Sequence, residues 1–95
     1  MTARVRLQIN GKEIDRTYNG DSSDDIVTSM QKDVAAESPW IIRVALNRMS
    51  PIQFAREAVK KYNASCKTDH RSPNTCDEFL ETGVSMGIVF ISKGN

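Results

Sequence analysis

The sequence is poor in the groups that most protein chemistry requires. One histidine and two cysteines in 95 residues cannot supply a histidine dyad or a framework of several disulfides. Glycine occurs five times and never in a phosphate-cradling pattern, which argues against a nucleotide loop. Apolar runs are short: Ile88-Val89-Phe90-Ile91 is typical, against the roughly 20 residues needed to cross a bilayer. No membrane association is expected. The opening Met1-Thr2-Ala3-Arg4-Val5-Arg6 has no apolar secretory region, so a cytoplasmic location with reduced thiols is expected and the Asn63-Ala64-Ser65 sequon carries no weight. Neither sign of charge dominates, the net being +1.

What is present is an ordinary globular balance. An apolar share of 39% with 26% charged residues suffices for a core, and the length suits one domain over residues 1–95. The charge is unevenly spread along the chain. Residues 13–37 carry seven acids against two bases, a local −5, and residues 43–71 carry seven bases against two acids, a local +5.

Ala3 to Ile9 alternates strictly, with Val5, Leu7 and Ile9 on one face and Arg4, Arg6 and Gln8 on the other, which predicts a half-buried strand. Asn10-Gly11 favours a two-residue type I′ turn, and Lys12 to Tyr18 then returns with Leu7 opposite Ile14 and Arg6 opposite Asp15. Asn19-Gly20-Asp21-Ser22-Ser23 closes the hairpin and offers several capping oxygens, with Asp24 and Asp25 as acids, for a helix over about 23–37 whose apolar stripe is Ile26, Val27, Met30 and Val34. Ser50-Pro51-Ile52-Gln53 predicts a second helix start, and Thr75-Cys76-Asp77-Glu78 a third, running to Met86 with Gly87 as the left-handed stop. Ile88 to Ser92 reads as a strand inside the sheet, beside the first. Residues 38–49 are ambiguous, since Ser38-Pro39 opens a helix while Trp40, Ile41, Ile42 and Val44 favour a strand. The helix is adopted. The order of elements predicts an α+β fold: a small sheet of three strands, or four, with an N-terminal β-hairpin, helices on one face and a C-terminal strand.

Residues 5–13 resemble the first hairpin of the ubiquitin-like sulfur carriers. Those carriers end in Gly-Gly, whereas this sequence reads Lys93-Gly94-Asn95, so the resemblance implies a hairpin and nothing of activity.

Cys66, Asp69, His70 and Cys76 gather the rarest side chains in one stretch, read as a long loop from 66 to 74. Zinc sites want paired ligands two to four residues apart at each end, a spacing absent here. A Cys66–His70 nucleophile pair has no oxyanion loop to serve it. Cys76 falls on the apolar side of its helix beside Phe79 and Leu80, where a thiol acts as a small hydrophobe, and His70 is expected in solvent. No metal, cofactor or enzymatic activity is expected.

The expected role is a non-enzymatic protein–protein interaction or regulatory module, docking a protein partner or a second copy of itself. Its candidate partner-binding residues are Trp40, Ile42, Leu46 and Met49, because the apolar residues of 40–49 spread over more of a helix than one packing face needs. The first alternative is weak nucleic-acid binding by Arg56, Lys60 and Lys61, aided by Arg48, Lys67 and Arg71, and the second is a small thiol or metal site over residues 66–76. Glu57 interrupts that basic face, which otherwise reads as the solvated back of a helix.

Overall fold

The computed structural model describes residues 1–9 and 11–92, with Ile9 and Lys12 described by backbone alone. Strands β1 (Thr2–Ile9) and β2 (Lys12–Asn19) are followed by helices α1 (Ser23–Ala36), α2 (Trp40–Asn47), α3 (Pro51–Cys66) and α4 (Cys76–Ser85), then β3 (Val89–Ser92). This is the expected α+β arrangement, with three strands among the described residues in the order β2-β1-β3, all antiparallel. Asn10 of the expected turn and the terminal Lys93-Gly94-Asn95 lie outside the described residues. Gly11 stands at φ +77°, the left-handed region such a turn demands.

Alternation fixes the register. Leu7 pairs with Ile14 and Arg6 with Asp15, as the pattern requires. The outer face of the sheet is polar, where the Arg4 guanidinium forks onto the Asp15 carboxylate at 3.0 and 2.9 Å and Arg6 approaches at 3.7 Å. Hydrogen bonding to Arg4 holds the Asp15 carboxyl below its ordinary range. The inner face carries Ala3, Val5, Leu7, Ile14 and Val89, and the register also puts Arg16 and Tyr18 there. Both reach α1 with their polar ends. Tyr18 donates to Asp33 at 2.7 Å, and Arg16 meets Glu37 at 2.5 Å and Asp33 at 3.8 Å.

One expectation fails at β3. Its apolar run suggested an interior strand, yet β1 is central and β3 forms an edge, with Phe90 exposed on the outer face opposite Arg4. Four consecutive apolar residues read the same whether both faces are covered or one is open.

The helices bury Ile26, Val27 and Met30 from α1, Phe54 and Ala55 from α3, and Cys76 and Leu80 from α4 against Ala3 and Val89. Gly83 lets α4 sit close on β3, since a side chain there would overlap Val89. The starts of α1 and α4 follow one pattern: a hydroxyl N-cap (Ser22, Thr75), a small donor (Ser23, Cys76), an aspartate (Asp24, Asp77), and an acid whose N–H the cap accepts (Asp25, Glu78). The two starts clasp reciprocally. The Ser23 hydroxyl donates to Asp77, and the Cys76 thiol donates to Asp24.

The 66–74 stretch is less loop than expected. Cys66 is the last residue of α3, and Lys67 supplies the left-handed cap at φ 54° without a glycine to announce it. The Asn63 side chain then grips the following segment, accepting from the Thr68 hydroxyl and the His70 N–H at 2.9 Å each and donating to the His70 carbonyl at 3.0 Å. Cys66 is exposed, Cys76 is buried, and both are free thiols.

Candidate functional site

Helix α2 is only eight residues long, too short to hold itself in water, so it depends on what it packs against. Yet none of its residues is buried. Side-chain hydrogen bonds anchor it. The buried Gln31 amide of α1 donates to the carbonyls of Leu46 at 2.6 Å and Met49 at 2.8 Å, while Arg43 reaches back to the Ala35 and Ser38 carbonyls at 3.2 and 3.3 Å.

These anchors fix which side of the helix turns outward. Of the expected partner-binding residues, Leu46 and Met49 are half-buried against the core, and Trp40 and Ile42 are exposed. Ile41 and Val44, outside that expected set, join them. Trp40 is 72% exposed, Ile41 64%, Ile42 46% and Val44 44%, the largest group of exposed apolar side chains adjacent in sequence. At 100° per residue, Trp40, Ile41 and Val44 share one side, opposite Leu46 and Met49. Sequence periodicity could not separate the two sides, because apolar residues stand on both.

The basic residues of the alternative reading are all exposed, but they are not equally available. The Arg56 side chain is spent on the connecting segment, its Nε donating to the Pro73 carbonyl at 2.9 Å. Lys60, Lys61, Arg48, Lys67 and Arg71 remain on the surface.

A second feature lies between the layers. β3 flanks only the first half of β1, so beyond Arg6 the hairpin overhangs with Leu7 and Ile14 only half-buried. Below them is an apolar cleft of about 310 Å³, walled by Met30 and Val34 of α1, Phe54, Ala58 and Tyr62 of α3, and Phe79, Gly83 and Met86 of α4. His70 also lines it, half-buried with its ring 5.8 Å from that of Tyr62, and not in open solvent as expected from sequence.

Among the described residues, no three His, Cys, Asp or Glu side chains converge as a metal site would need, and no helix is long and apolar enough to cross a membrane. Burial, and then hydrogen bonding to Asp24, pushes the Cys76 thiol up to about 12, the reverse of what a nucleophile requires. Compared with family models, curated proteins and solved structures, the chain gives no match.

Proposed function

We propose that this chain is a non-enzymatic interaction or regulatory module that self-associates through α2. The observation that carries the reading is the outward side of that helix, with Trp40, Ile41 and Val44 facing water from an element that has no fully buried residue, while Ile42 is exposed beside Leu46 on the other side. Aromatic and aliphatic side chains of this kind form the centres of protein interfaces. The occupant is a second copy of the chain, with its α2 lying antiparallel. Glu37, already held by Arg16 of its own copy, precedes the helix and Arg48 follows it, so antiparallel apposition brings each copy's Arg48 to the free side of the other's Glu37 carboxylate at the rim.

Magnitude sets the expected strength. Three side chains from each copy, gaining about half of the 1.5–3 kcal/mol of full burial, contribute roughly 5–9 kcal/mol. Association costs about 4–15 kcal/mol, so the net gain is at most about 5 kcal/mol and the dimer is weak, with a dissociation constant of about 0.2 mM at the tightest. Sedimentation velocity from about 10 μM to 2 mM tests this. The wild type should pass from monomer to dimer, and the double substitution Ile41→Glu, Val44→Glu should remain monomeric with unchanged circular dichroism. A wild type that is monomeric throughout, or a dimer indifferent to the two glutamates, overturns the reading.

A further inference from the structure

We infer that the cleft between the hairpin overhang and the helices is a binding site for a small, neutral, predominantly apolar molecule, independent of the α2 face. Its volume of about 310 Å³ is at the lower end of the range of small-molecule sites and about twice that of an engineered cavity that takes up benzene.

Lining chemistry chooses the ligand. Among the described residues, no Asp, Glu, Lys or Arg lines the space. A charged ligand would lose its hydration with no counter-charge to replace it, so the occupant is neutral. Most polar groups at the walls are already engaged: the Tyr18 hydroxyl donates to Asp33, the Thr82 hydroxyl donates to the Glu78 carbonyl, and Tyr62 is hydrogen-bonded with Cys66. The imidazole of His70, held against Tyr62 by the grip of Asn63 on its backbone, is left to meet one hydrogen-bonding group such as a ligand hydroxyl.

The neutral fluorophore N-phenyl-1-naphthylamine serves as the probe on the full chain. It should bind saturably at one per chain, be displaced by 1-decanol, and require at least tenfold more decanoate for the same displacement. Ala58→Trp, which fills the cleft from α3, should weaken probe binding at least tenfold, whereas Ile41→Glu, Val44→Glu should leave it unchanged. Amide shifts in the wild type, which need no variant to fold, should move at Leu7, Ile14, Tyr62 and Gly83 and not along α2. Non-saturable binding, equal displacement by decanoate, an Ala58→Trp protein that is folded and binds as before, or shifts confined to α2 would each overturn the inference.

Discussion

At the scale of single residues, Cys76 shows how position changes a side chain's chemistry. Its thiol lies in the core at the start of α4, donates to Asp24 and sits near Asp77, so both carboxylates oppose the thiolate. The folded value lies above the unfolded one, which means that the native state favours the protonated form. The stability tied to the neutral thiol is therefore complete below pH 9 and lost as the pH rises from 9 towards 12, at roughly 1.4 kcal/mol per pH unit. Tyr18 is shifted upward as well, mainly by burial, and acts in the same direction at still higher pH. Thermal melts at pH 8 to 10.5 should show a shallower alkaline decline for Cys76→Ala than for wild type, with Cys66→Ala following the wild type. Equal slopes in all three would remove Cys76 from this account. Under native conditions a thiol reagent should modify the exposed Cys66 and reach Cys76 only on unfolding.

Elements differed in how much of them the sequence disclosed. The hairpin was legible because alternation and the Asn10-Gly11 pair agree, and α1, α3 and α4 because each opens on a capping oxygen with a fitting third residue. The α3 end was hidden, since Lys67 takes a conformation normally announced by glycine. The orientation of α2 was hidden for another reason: contacts made by Gln31, far away in sequence, decide it. The candidate site was thus only half legible, with Trp40 and Ile42 on the open surface and Leu46 and Met49 turned to the core. The two sides of this helix should respond oppositely to the same charge. Leu46→Glu places a carboxylate against the core, and at a cost of several kcal/mol it should abolish the cooperative melt or lower its midpoint by 10 °C or more. Ile41→Glu should shift the midpoint by less than about 3 °C. If the two melt alike, the assignment of sides to α2 is wrong.

For the whole molecule, the uneven charge of the sequence becomes partly internal to the fold. Asp15 is occupied by Arg4 and Arg6, and Asp33 and Glu37 by Arg16, so part of the acidic segment is neutralised by the sheet. Among the described residues, the side chains of the basic segment that are so engaged are Arg43, held by the Ala35 and Ser38 carbonyls, and Arg56, held by that of Pro73. Of the five bases left, about three or four can contact one duplex, which corresponds to a salt slope of about −2.7 to −3.6 on DNA and weak binding at physiological salt. Fluorescence anisotropy should give a dissociation constant no tighter than about 10⁻⁵ M at 0.15 M salt, without preference among sequences. Nanomolar, sequence-dependent affinity would return nucleic acid to first place among the partners. The cleft belongs to this scale too, because it is made by the stand-off between two layers and by no one segment's pattern.

The central place of β1 also bears on how the chain is made. Its second neighbour, β3, follows about 80 residues later, so at about 5–20 residues per second the ribosome leaves one edge of β1 open for roughly 4–16 s. A hairpin forms in microseconds, so within that interval the nascent chain can form many times over a two-stranded ribbon with an apolar face and a bare row of amides and carbonyls. The arginines of β1 then act before any fold exists. With one Asp15 shared between them, Arg4 and Arg6 leave that ribbon a net positive charge, which discourages neighbouring nascent chains from pairing with its open edge until its own last strand arrives.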